Sequence, residues 1–156
     1  MTLKIRQAVK EDCLTILEYI KKLADFEKAP EEVINSIENL EKDGFGEKTF
    51  FHAAILEWSG KPCGFLLYYY GYSTWKGKAL YLEDLFVDPT LRGNGIGKEA
   101  MKYLASIAMK NECQRFHWQA LDWNTPAIDF YKTLGAEIDS EWVNCRLHVS
   151  EIRNLV

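Results

Sequence analysis

The chain has 156 residues, 47% of them hydrophobic and 27% charged, with a formal net charge of −4. This is the size and balance of one globular domain, residues 1–156, able to bury a core of its own. It holds no apolar run of the roughly 20 residues that a membrane-spanning helix needs. Nor does it show the basic face expected of a nucleic-acid binder.

The opening MTLKIRQAVKEDC has no long apolar segment, so no signal peptide is expected and a cytoplasmic location is. Four cysteines, Cys13, Cys63, Cys113 and Cys145, form no CxxC or Cys/His cluster. They are expected as reduced, mostly buried thiols, and no metal site is expected.

Residues 3–9 alternate apolar and polar and predict a first strand. Glu11-Asp12 then opens a helix whose apolar side carries Leu14, Ile16, Leu17, Ile20, Leu23 and Ala24. Pro30 suits the first turn of a second helix, expected over 31–42 and ending near Gly44 and Gly46. Residues 49–58 and 63–72 read as two strands joined by the turn Ser59-Gly60-Lys61. The apolar run 79–87 suits a strand buried on both faces, ended by Asp88-Pro89.

Next comes Arg92-Gly93-Asn94-Gly95-Ile96-Gly97-Lys98, then helical spacing through Ala100, Tyr103, Leu104 and Ile107 to about Lys110. Glycine at every second position lets a ligand approach the backbone closely. The free N–H groups of a helix start carry about half a positive charge between them. Arg92 and Lys98 add formal charge, so the stretch is suited to a diphosphate. It is neither a P-loop, since Glu99 follows the lysine, nor a dinucleotide fingerprint, since the spacing is GxGxG.

Residues 115–120 predict a further strand. Asn124-Thr125-Pro126 supplies a cap and a first-turn proline for a helix through Ala127, Phe130, Tyr131 and Leu134, with Gly135 just past its end. A last strand is expected over 142–149, followed by a tail. The histidines, His52, His117 and His148, all fall in expected strands. The order β-α-α-β-β-β-α-β-α-β predicts an α/β fold: a twisted mixed sheet flanked by helices. The glycine loop and the DWNTPA stretch each follow a strand end, so both are expected to open on one crevice.

The phrases IRQAVKEDC, DGFG, YSTWKGK, YLEDLFV, RGNGIG and LDWNTPAIDFYKTLGA carry a resemblance to the GNAT acetyltransferases. Within them the chain resembles the diamine (spermidine/spermine) and thialysine N-acetyltransferases. The resemblance implies acetyl-CoA as cosubstrate, no metal, a small amine as the other substrate and a homodimer. It implies that the backbone of Leu85, Phe86 and Val87 pairs with the pantetheine arm and that Arg92, Gly93, Asn94, Gly95, Ile96, Gly97 and Lys98 bind the diphosphate. Asn124, Thr125, Pro126 and Ala127 contact the cofactor further along. The same resemblance implies that Tyr131 is the acid beside the thioester sulfur and that Glu83 lies near the incoming amine. Phe26, Glu27, His117, Trp118 and Gln119 line the substrate side. Polyamine-type members carry an aspartate after the tyrosine of the YSTWKGK loop. Ser73 stands there, which points to the thialysine-type branch.

The chemistry needs a neutral amine. A lysine-like amine has a pKa of about 10.4, so freeing it of its proton at pH 7 costs about 4–5 kcal/mol. Glu83 is the carboxylate expected to receive that proton, directly or through water. Asp84, its neighbour on a regular strand, is expected to face the other way and to serve structure or cation attraction. Acetylation of a protein lysine or N-terminus, and a non-catalytic acyl-CoA-binding module, are the competing readings.

Overall fold

Five strands form one sheet in the order β1-β2-β3-β4-β5, with every neighbour antiparallel except the parallel pair β4–β5. The computed structural model describes residues 2–156. They fall into two units, one ending at Gln119 and the other Ala120–Val156.

In the first unit, β1 (Leu3–Gln7) pairs with β2 (His52–Trp58), which turns at Ser59-Gly60 into β3 (Lys61–Ser73). A second turn leads to β4 (Gly77–Val87), and β5 (Arg115–Trp118) lies along its other edge. Residues 53–56 of β2 and 63–68 of β3 are buried throughout, so helices cover both faces of the sheet.

One face carries α1 (Cys13–Phe26) and α2 (Ile37–Phe45). Cys13, Ile16, Leu17 and Tyr19 of α1 and Leu40 of α2 pack on Ile55, Phe65, Leu67 and Phe86. Tyr19 stacks on Phe65 at 6.1 Å and lies 5.4 Å from Phe86. α3 (Ile96–Lys110) buries Ile96, Ala100, Met101, Leu104 and Ala108. It serves the alternate strand residues, because successive side chains leave a strand on opposite sides. Arg6 ties β1 to the start of α1 through two bonds to Asp12, at 2.7 and 2.8 Å, and one to Glu57 at 2.7 Å. Phe65→Ala leaves a hole where both aromatic neighbours meet, and its expected cost is about 3–5 kcal/mol in denaturant unfolding.

The second helix differs from expectation. Pro30 opens only a 3₁₀ turn, Pro30–Glu32, and Val33 is extended. Ser36 is the working cap, its hydroxyl accepting from the Asn39 N–H at 3.2 Å. Capping oxygen at Ser36, not proline at position 30, sets where the helix begins.

The second unit holds α4 (Thr125–Thr133) and the short α5 (Val149–Asn154). The strand expected over 142–149 is not formed. Residues 142–148 carry no regular structure, and His148, expected within that strand, precedes α5 with its N–H donated to Glu151. Alternation alone does not make a strand; its backbone groups need a ladder partner.

Candidate active site

β5 is short. Its ladder with β4 runs from Ala79↔Arg115 to Leu82↔Trp118 and stops, while β4 continues to Val87. On its other edge β4 stays paired with β3 as far as Gly64↔Val87. The stretch Leu85, Phe86 and Val87 therefore has one edge in the sheet and one edge beyond the end of β5. An open strand edge offers N–H and C=O groups to an extended ligand.

The glycine loop follows. Asp88 accepts from the Thr90 N–H at 2.9 Å and shapes the turn after β4. Asn94 donates its amide to the Leu91 carbonyl at 2.9 Å. Gly93 and Gly95 stand at φ +82 and +77, in the left-handed region, and Gly95 is the residue that starts α3. A side chain at either would meet open space within the protein. The glycines thus serve backbone conformation and leave room outside the chain. Glu99 N–H is the first to close on Gly95 O, so the N–H groups of Ile96, Gly97 and Lys98 have no partner within the helix. Arg92 and Lys98 are exposed on either side. This donor set fits a diphosphate.

Arg92 also reaches back. Its guanidinium lies 5.1 Å from the centre of the Phe26 ring, and its Nε donates to the Val87 carbonyl at 3.4 Å. Through this contact the end of α1 is fixed beside the loop, and Glu27 follows directly.

β4 is not regular at the acidic pair. Leu67 lies opposite Asp84 and Tyr68 opposite Leu82, so Glu83 is an extra residue in a β-bulge. The bulge resets the alternation. Asp84 and Phe86 share the α1 side with Leu67 and Phe65. Tyr69, Tyr81 and His117 are paired on that same side, and the Tyr69 phenol is hydrogen-bonded to Glu83. Glu83 and Asp84 therefore look the same way, contrary to the expectation for a regular strand.

Burial also falls on the unexpected member. Glu83 is exposed and Asp84 half-buried. Burial first, then the charges of Glu83 and Glu27, push the Asp84 carboxyl up to about 7. Burial raises Glu27 as well. Tyr69 is pushed up to about 12 by burial and by Glu83, so its phenol stays a donor at neutral pH. His117 packs edge-on to Tyr81 at 4.9 Å. Burial and then Arg115 lower its pKa, keeping it neutral. The face combines aromatic rings with negative charge, chemistry suited to an ammonium group. Trp118 pairs with Leu82 on the opposite face, and Gln119 follows the end of β5. Sequence reasoning did not single out Tyr69 or Tyr81; the run Tyr68-Tyr69-Tyr70 is plain in the sequence, but the bulge that turns Asp84 to the same face as Glu83 is not.

In the second unit, the Asn124 side chain accepts from the Ala127 N–H at 3.4 Å, and Pro126 occupies the first turn of α4. Tyr131 is half-buried beside Phe130, ring centres 5.3 Å apart, and burial raises its phenol above the usual value.

The profile described as "Acetyltransferase (GNAT) family" matches residues 14–136. A thialysine N-epsilon-acetyltransferase of Sus scrofa is 44% identical over 162 residues, 97% of this chain and 95% of that protein. A Caenorhabditis elegans protein of the same name is 39% identical over 119 residues, 76% of this chain and 73% of its own. Among solved structures, an integron cassette protein from the mobile metagenome of V. cholerae superposes with a TM-score of 0.81 at 29% identity, covering 99% and 98% of the two chains. AAC(6')-Iy bound to the bisubstrate analogue CoA-S-monomethyl-acetylneamine gives 0.76 at 18% identity over 95% and 99%, a likeness of fold alone.

Proposed function

The chain belongs to the GNAT acetyltransferase family, and we propose that it transfers the acetyl group of acetyl-CoA to the primary amine of a small substrate by direct attack in a ternary complex. The observation that carries this is the sequence of open β4 edge, left-handed glycines and cationic helix start, residues 85–98. The N–H groups of 93–98, with Arg92 and Lys98, hold the diphosphate. The β4 edge at Leu85, Phe86 and Val87 aligns the pantetheine amides, and the turn Asn124, Thr125, Pro126 and Ala127 contacts the cofactor further along. Glu83 accepts the amine proton and Tyr131 donates to the departing sulfur. Phe26, Glu27 and His117, with Trp118 and Gln119, belong to the substrate side.

Thialysine or a lysine analogue is favoured over diamines and polyamines. Three relatives at 41–45% identity bear the thialysine name. The Ser73 hydroxyl accepts from the Lys76 N–H at 3.2 Å, so the residue closes the β3–β4 turn and offers no charge to a second ammonium. A thioether near the amine also lowers its pKa by induction, leaving more of the neutral nucleophile at pH 7. The test is thiol release from acetyl-CoA with thialysine, lysine, putrescine and spermidine side by side. Thialysine is expected to give the highest kcat/KM. Release with no amine, despite cofactor binding, turns the chain into a binding module; release with peptide lysines alone turns it to protein substrates.

Gly95→Val forces a β-branched residue into the left-handed region, at a cost of about 1–2 kcal/mol. Its Cβ meets nothing within 4 Å in the protein, so the fold survives with a lowered melting temperature. The KM for acetyl-CoA is expected to rise about tenfold or more, because the displaced N–H groups no longer converge. An unchanged KM removes the loop from cofactor binding.

The enzyme works as a homodimer. Trp142 and Val143 are 77% and 84% exposed in a stretch of strand-like sequence without a ladder. A second copy supplies a cover for such a surface. Light scattering is expected to give twice the 18.1 kDa of the chain.

A further inference from the structure

On the reading of this face as the amine site, we propose that Asp84 is its second proton-carrying residue: it holds a proton while the site is empty and releases it to solvent when an ammonium enters. The step balances simply. The carboxylic acid becomes a carboxylate and a proton, and the incoming R–NH₃⁺ takes the place of that proton as the positive partner.

The geometry carries the argument. The bulge at Glu83 turns two adjacent carboxyl groups onto one face. Glu27, the residue after α1, adds its negative charge, and Phe26 beside it lies under the Arg92 guanidinium. Leu67 opposes Asp84 on β3, Tyr69 is engaged with Glu83, and Tyr81 shares its own strand. His117, from β5, has its pKa lowered by burial and by Arg115, which disfavours its charged form. Among the described residues the charges that bear on Asp84 are those of Glu83 and Glu27, both negative. No hydrogen-bond donor meets its carboxyl there. Arg92 is turned instead to the Phe26 ring and the Val87 carbonyl.

Three like charges on one face cannot all be kept cheaply. The three members are not equivalent. Glu83 and Glu27 are exposed to water, and Glu83 also accepts a phenol hydrogen bond. Asp84 has neither advantage, so the proton resides on Asp84. An ammonium between the two carboxyls reverses the balance and expels it. Amine binding then strengthens with pH until Asp84 is fully ionised, while Glu83 remains free to take the second proton, the one lost by the nucleophile.

The first measurement is the titration of the Asp84 carboxyl carbon by NMR in the amine-free protein, assigned by its absence in Asp84→Asn. A midpoint near 7 is expected, displaced downward in Glu83→Gln; a midpoint below about 5 overturns the proposal. The second is calorimetry of thialysine binding to the CoA-loaded enzyme in two buffers of different ionisation enthalpy. At pH 7 about half a proton is expected to be released per amine bound, falling toward zero by pH 8.5 and absent in Asp84→Asn. Its dissociation constant is expected to fall about tenfold between pH 6 and pH 8 in the wild type and to stay flat in the variant. Equal proton release in both proteins overturns the linkage. Should no amine be acetylated, the reading of the site falls on its own evidence, and the carboxyl titration still decides where the proton resides.

Discussion

Tyr131→Phe is expected to lower kcat by about a hundredfold or more while acetyl-CoA binds within about twofold of the wild type. The residue sits on α4, in the stripe Ala127, Phe130, Tyr131, Leu134 that follows the Asn124 cap. Burial raises its phenol above the usual value of about 10. The thiol of coenzyme A has a pKa of about 8.5, so full proton transfer from this phenol to the thiolate is uphill by more than about 2 kcal/mol. Donation of a hydrogen bond to the sulfur is the role that fits. The sign of the shift fixes the pH profile. A raised phenol keeps its proton at neutral pH, so any alkaline loss of rate from this group is expected above the ordinary tyrosine pKa of about 10. Phenylalanine keeps the ring and its packing on Phe130 and removes only the donor. Single-turnover thiol release reads the change, and an unaltered rate removes Tyr131 from the chemistry.

What could be read from the sequence divides along a physical line. The glycine loop and β4 were legible because each is specified locally. Gly93 and Gly95 require left-handed backbone, Asp88-Pro89 ends the strand, and the apolar run fits a strand covered on both sides. Features that depend on a partner strand were not. The bulge exists only in the register of β4 against β3, where two residues oppose one. Nothing in YLEDLFV announces it, so the directions of Glu83 and Asp84 came out wrong for Asp84. The stretch 142–148 has the alternation of a strand and no ladder to join. Pro30 and Ser36 both signal a helix start, and only the tertiary position of Val33 and the Asn39 N–H decides for Ser36. In each case the signal was present and its meaning lay in another element.

Glu83→Gln is expected to lower kcat/KM for the amine by about 10²–10⁴-fold at pH 7. The amide fills the same volume at an exposed position, and the Tyr69 phenol still finds an oxygen to donate to. Folding and cofactor binding are therefore unaffected, and the loss is chemical. A lysine-like amine with a pKa of about 10.4 is neutral in only roughly one molecule in 2,500 at pH 7. On the proposed mechanism the wild type overcomes this by binding the cation and moving its proton to Glu83. The variant must wait for the neutral form. Its rate is then expected to climb about tenfold per pH unit up to the pKa of the free amine, closing most of the gap to the wild type by pH 10. Thialysine, whose amine is more acidic than lysine's, should suffer a smaller loss than lysine. Asp84→Asn behaves differently: it flattens the pH dependence of amine affinity and leaves the slope of the chemical step as it was. A Glu83→Gln enzyme whose profile runs parallel to the wild type at every pH shows that the proton leaves by another route, and Asp84 or solvent then takes the role.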